Sequence, residues 1–237
     1  MTTVALLHPT KRDTRRLGLL YLMMGLGAPF AFMYVPRTLI VRGDAAATAA
    51  NILAHQTLFR LGIFAELFSS IAFIFLALAL YRFFEAVSKP QARALLALVL
   101  VAVAVSLLNV VNHVAALAVF RGAELGAAFD QSQRNALGML LLGLHQRGIF
   151  VAEIFWGLWL FPLGTLAMRS GWFPRILGVL LLANGGAYVL AALVTLLLPE
   201  YARAVNTAVL PALLGELWFI LWLFKGPAVQ SPAPAPA

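Results

Sequence analysis

Six long apolar runs divide the chain, near residues 17–36, 59–84, 93–120, 138–168, 175–198 and 207–225. Each is long enough to cross a bilayer as a helix, which needs about 20 mostly apolar residues. The fourth run is too long for one bilayer thickness, so it tilts or begins as a surface turn before Leu140. The polar positions between the runs read as turns. "SKPQ" (88–91) and "RSGWFPR" (169–175) are tight connections rich in Gly and Pro. "VRGDAAATAANILAHQ" (41–56) is a longer loop, in which Asp44 is placed to cap a short surface helix. Pro29 and Pro162 fall inside apolar runs, where kinks are expected. Trp156, Trp159, Trp218 and Trp222 do not sort easily into an interfacial belt, since some lie too deep, so packing is their expected work.

The pattern predicts an all-α, integral membrane six-helix bundle over 17–226. A basic N-terminal segment (1–16) precedes it, and a Pro/Ala tail (227–237) follows that is expected to be extended and disordered. Composition agrees, with 62% hydrophobic and only 11% charged residues, against roughly 25% charged in soluble domains. The net charge of +8 would suit nucleic acid in a soluble protein. Here the basic residues flank the apolar runs, as topology signals do, so the expected partner is the lipid bilayer and no nucleic acid. With the N-terminus inside, the inner flanks hold Lys11, Arg12, Arg15, Arg16, Arg82, Lys89, Arg93, Arg169, Arg175 and Lys225. The outer flanks hold only Arg37, Arg42, Arg121, Arg134 and Arg203. This excess predicts both termini in the cytoplasm and a bacterial inner membrane location. There is no cysteine, which excludes disulfides, thiolate metal sites and a cysteine nucleophile.

Polar residues inside the runs are few. "RLGIFAELF" (60–68) is echoed by "RGIFVAEIF" (147–155) and, more briefly, by "LGELWF" (214–219). The echoes place Glu66, Glu153 and Glu216 on the second, fourth and sixth helices at similar depth. This suggests three repeated helix hairpins, each with one acid on its return helix. An ionised side chain at a helix centre costs about 2.5–3.5 kcal/mol, so these acids must be paired, protonated or hydrated. Arg147 lies six residues from Glu153 and does not face it on one helix. Ser106, Asn109 and His113 share a face of the third helix, and His145 lies at comparable depth on the fourth. Asn184 and Tyr188 form a smaller polar pair on the fifth.

The expectation is a polar pocket in the outer half of the bundle, drawn from Glu66, Glu153, Glu216, His113, His145, Arg147 and Asn109. It would take a proton, a small cation or a small amine. The opposing reading is a non-catalytic membrane scaffold, with buried polar groups acting as glue between helices and helix faces open to homo- or hetero-oligomers. Two further alternatives use His113 and His145, either as paired axial ligands of a haem or, with a glutamate, as the three protein ligands of a zinc site. No His-Glu-x-x-His run, Gly-x-Ser-x-Gly elbow or Gly-rich phosphate loop is present. No catalytic residue is assigned, no cofactor is expected, and a non-enzymatic role is favoured.

Finally, "YVPRTLIVRGDAAATAANI" (34–52), "LFRLGI" (58–63), "IFWGLWLFPLG" (154–164), "PRILGVLLL" (174–182) and "LPALLGELW" (210–218) resemble the uncharacterised bacterial membrane family DUF4386, a domain of unknown function. The resemblance implies a multi-pass membrane protein and carries no activity. It places Asp44, Pro162 and Glu216 within family-like motifs and His113 at a position expected to vary.

Overall fold

A computed structural model describes residues 9–122 and 128–227; the side chain of Leu213 is outside that set, as are residues 1–8 and the Pro/Ala tail from residue 228 on. The described residues contain helices and no strand. Six helical spans are long and apolar enough to cross a membrane: Lys11–Leu39, Gln56–Phe84, Lys89–Arg121, Gln131–Ser170, Arg175–Leu197 and Ala202–Lys225. The chain is therefore a multi-pass membrane protein.

Three of the spans are interrupted, each at a proline. The first begins with α1 (Lys11–Pro29), capped by a reciprocal pair between Thr10 and Asp13. A π-helical turn (Phe30–Tyr34) follows Pro29 and leads into α2 (Val35–Leu39). Proline has no N–H for the i−4 carbonyl, so the ladder resets there. The second and third spans are unbroken helices, α4 (Gln56–Phe84) and α5 (Lys89–Arg121). Ahead of α4 lies the short α3 (Ala45–Ala54), whose N-cap Asp44 accepts from the amide of Ala47 at 2.8 Å. The fourth span divides at Trp159 into α6 (Gln131–Leu158) and α7 (Leu160–Ser170). Pro162 leaves the carbonyl of Leu158 without its helical partner, which accounts for the break and for the excess length of that run. The fifth is α8 (Arg175–Leu197). The sixth corrects the single-helix expectation: α9 (Ala202–Val209) passes through a 3₁₀ turn (Leu210–Leu213) at Pro211 into α10 (Leu214–Lys225).

Two apolar layers fill the bundle. One, rich in aromatics, joins Tyr21, Phe73, Phe84, Trp159, Trp172, Phe173 and Phe219 at mid-depth and toward the end that carries Lys11 and Lys225. Trp159, 1% exposed, packs against Phe73 at 5.0 Å and Tyr21 at 5.8 Å, in the packing role expected of it. Trp218 departs from that expectation and is 56% exposed. The second layer lies at the opposite end, where Ala49 and Ile52 of α3 close over Val35, Leu39, Phe59, Ala116, Phe120 and Leu142. Outward-facing apolar side chains such as Leu26, Phe64, Leu108 and Leu221 cover the bundle's exterior, as a surface in lipid requires.

Candidate functional site: a Glu–His–His cluster between three helices

Beneath the α3 layer three spans bring ionisable groups together. Glu66 lies ten residues into α4, and α4 is continuous there, so the carboxylate has a rigid base. On α5 the face that carries Ser106, Asn109 and His113 turns inward, each residue with its own partner. Ser106 bonds back to the carbonyl of Ala102 at 2.9 Å. Asn109 crosses to α6 and donates from Nδ2 to the carbonyl of His145 at 2.8 Å. His113 reaches α4, with Nδ1 3.1 Å from Glu66 Oε1. From α6, His145 places Nε2 2.8 Å from Glu66 Oε2. The imidazoles lie face to face, ring centroids 3.4 Å apart and 20° from parallel, and Phe59 packs against His113 at 5.2 Å.

The close crossing of α5 and α6 depends on Gly148, where a Cβ would collide with Asn109 Oδ1. Asn109 therefore holds the helices in register from outside the cluster and supplies no ligand atom to it. Glu66 is 6% exposed and His145 3%. Glu66 Oε1 is buried without an aligned hydrogen bond, although the His113 nitrogen stands 3.1 Å away. The ligand atoms of Glu66, His113 and His145 all lie within 4.8 Å of one another, the one such acid–histidine group among the described residues.

The remaining expected site residues lie elsewhere. Glu216, in the first turn of α10, accepts from the Tyr21 hydroxyl at 2.5 Å and from Asn184 Nδ2 at 3.1 Å. The α1–α4 register gives the offset between the two sites. Gly27 lies against Ala65 and Ser69, next to Glu66, and Tyr21 is six residues further along α1, about 9 Å. Glu66 and Glu216 therefore occupy separate layers, which corrects the expectation that three carboxylates share one pocket. Glu153 lies eight residues beyond His145 on α6, about 12 Å along the helix. It makes no hydrogen bond or ion pair among the described residues and lies away from the histidines, near Tyr188, which also neighbours Glu216. Arg147 is exposed on α6, with its guanidinium folded over Gly143, away from Glu66. The convergent set is thus Glu66, His113 and His145, braced by Asn109. Tyr21 lies in "RRLGLLYL" (15–22) and is not among the expected site residues; the signal for it is a phenol in mid-span, where a hydroxyl needs a partner.

This geometry separates the chemistries. Paired axial ligands need a porphyrin plane between them, and stacked rings 3.4 Å apart leave no such gap. Two histidines and a carboxylate are, in contrast, the protein ligand set of several mononuclear zinc sites. Zinc bonds of about 2.0–2.2 Å in a tetrahedron set ligand-to-ligand edges of about 3.4 Å. The observed Glu–His separations of 2.8 and 3.1 Å run to the two different Glu66 oxygens, so an ion held by all three residues would take the carboxylate through one or both oxygens and would need the stacked rings to tilt until both nitrogens face it. A cavity of about 10 Å³ borders Glu66 and His113 between α2 and α4, roughly the room one water needs.

The family model for a domain of unknown function, DUF4386, matches residues 17–226, and the chain belongs to that family. No curated protein matches the chain, and no solved structure does.

Proposed function

We propose that this chain is a metal-binding protein of the bacterial inner membrane, holding a divalent transition-metal cation such as zinc between Glu66, His113 and His145. The observation that carries the reading is the convergence of those three ligand atoms within 4.8 Å from three separate spans. Glu66 Oε1 is buried with the His113 nitrogen 3.1 Å away and poorly aligned to it, so an ion taking both as ligands would replace no well-formed hydrogen bond. A nitrogen–nitrogen–oxygen donor set suits zinc and its first-row neighbours better than calcium or magnesium, which take oxygen ligands. Water in the adjoining cavity would complete four-coordination. Binding is favoured over hydrolysis because Glu66, as a ligand, does not also serve as a base, and no second carboxylate belongs to the group.

The test is metal analysis of protein purified without chelator, before and after incubation with zinc and gel filtration. About one zinc per chain is expected in the wild type, with loss in Glu66→Gln and His145→Ala and retention in Glu153→Gln. Wild-type protein that stays folded and metal-free would overturn the reading and leave the scaffold role.

A second reading concerns Glu216. Its hydrogen-bond donors are a phenol and an amide, both neutral, and it makes no ion pair among the described residues. A buried carboxylate without a countercharge takes up a proton or a small cation. An infrared carbonyl band of a protonated carboxylic acid, absent in Glu216→Gln, would support a proton there. Its absence from the wild type would remove that assignment.

A further inference from the structure

At the end of the bundle that carries Lys11 and Lys225, α8 and α10 diverge around a groove of about 340 Å³. That volume lies within the range of small-molecule sites, about 300–1,000 Å³. Its walls include Pro174, Leu177, Leu180, Trp218 and Trp222, with Lys225 at the rim. Pro174 marks the start of α8, and Leu180 is six residues further in, so the groove runs about 9 Å along the helix. Carbon lines nearly all of it. Lys225 stands at the mouth, and two further cations lie at the same end of the bundle, outside the lining. Lys225 Nζ stands 4.2 Å from the centroid of the Trp222 ring. Arg175 is exposed one residue beyond Pro174, and Lys11 packs its stem toward Gly226, just past Lys225. None of the three cations is in a salt bridge among the described residues. Trp222 Nε1 is buried without a hydrogen-bond acceptor.

A half-open carbon-lined groove with Lys225 at its rim and further cations at the same end of the bundle matches one molecule available there: a lipid whose chain lies in the groove and whose phosphate meets the cations. We propose that the α8–α10 groove binds an anionic phospholipid of the adjoining leaflet. Lys225 and Arg175 take its phosphate, and Leu177, Leu180 and Trp218 hold the first part of an acyl chain. A zwitterionic lipid brings its own cation to the rim and gains less there. Each basic side chain near anionic lipid is worth roughly fivefold in affinity, so the pair sets a preference of about twentyfold or more. The groove lies at the far end of the bundle from Glu66 and is independent of the metal site.

The experiment uses the full chain in a non-ionic detergent. Phosphatidylglycerol or phosphatidylcholine with the same acyl chains is added, and bound lipid is read by native mass spectrometry alongside the melting temperature. Phosphatidylglycerol is expected to bind at least tenfold more tightly than phosphatidylcholine and to raise the melting temperature. Lys225→Gln with Arg175→Gln is expected to erase that preference while leaving weak binding of both lipids. Leu180→Trp, which fills the slot, is expected to lower binding of both. Inorganic phosphate at matched concentration is expected to give no shift, since it lacks the chain. Equal binding of the two lipids, a double variant that keeps the preference, or a full effect from phosphate alone would each overturn the proposal. Should Leu180→Trp fail to fold, the charge variants on the rim decide the matter.

Discussion

Tyr21 and Glu216 show how one side chain can decide the state of another. The phenol donates to the Glu216 carboxyl group at 2.5 Å, at the short end of O–H···O bonds. Tyr21 is 1% exposed, so the bond is shielded from water. Removing the hydroxyl leaves a buried carboxylate oxygen with one donor fewer, a loss of about 1–3 kcal/mol. Tyr21→Phe is therefore expected to lower the melting temperature in detergent, whereas Tyr21→Phe in a Glu216→Gln background is expected to cost much less. The thermal double-mutant cycle reports this as a coupling energy, and strict additivity of the two changes would show that the hydroxyl and the carboxylate do not interact. The same logic sets the pH dependence of the Glu66 cluster. A metal displaces protons from its histidine ligands, so zinc affinity is expected to fall as pH is lowered. Zinc titrations at two or more pH values check this, and an affinity that rises toward acid would count against imidazole ligation.

At the scale of elements, the α6–α7 and α8 pair is held by glycines that approach across the crossing. A Cβ at Gly157 would meet the Gly185 carbonyl at 2.6 Å, and one at Gly164 would meet the Gly178 carbonyl at 2.8 Å. The pairs are seven residues apart on both strands of the hairpin, so the backbones stay close over two turns, as small residues permit in membranes. Gly186, one residue along, has open space instead, with no atom within 4 Å of the point a Cβ would occupy. Gly185→Ala is thus expected to destabilise, while Gly186→Ala is expected to be neutral or stabilising by up to about 1 kcal/mol, since alanine favours helix over glycine. Thermal unfolding of the two variants in one detergent compares them directly; equal effects would mean that the crossing is not tightly packed there. The six spans are legible in the sequence because apolar run length is a bilayer signal independent of partners. The interruption of the sixth span is not: Pro211 sits in an otherwise continuous apolar run, and a proline near a helix start is compatible with an unbroken helix. The Glu–His–His convergence is half legible. Spacing places Asn109 and His113 on one face and matches His113 with His145 in depth, but no spacing within a helix tells which of three similar glutamates meets them. That choice is made by helix rotation and by the α1–α4 register. The sequence echoes around the glutamates resemble one another locally, yet Glu66 meets two histidines, Glu216 accepts from a phenol and an amide, and Glu153 hydrogen-bonds to neither group.

At the scale of the whole molecule, the orientation of the bundle decides the side from which a metal would reach Glu66. The cluster lies toward the end where α3 packs, and Ala46 of α3 is exposed there. The opposite end holds Lys11, Arg12, Arg15 and Arg16, together with the turn that carries the exposed Ala86 between α4 and α5. Basic flanks are retained on the cytoplasmic side during insertion, so the α3 end is expected to face outward and the cluster to draw its metal from outside the cytoplasm. Because the chain has no cysteine, single-cysteine variants report position without background. Ala46→Cys is expected to react with a membrane-impermeant maleimide in intact spheroplasts, and Ala86→Cys only after permeabilisation. The reverse pattern would invert the bundle. The metal site would then open toward the cytoplasm, and the basic rim around Lys225 would meet the outer leaflet.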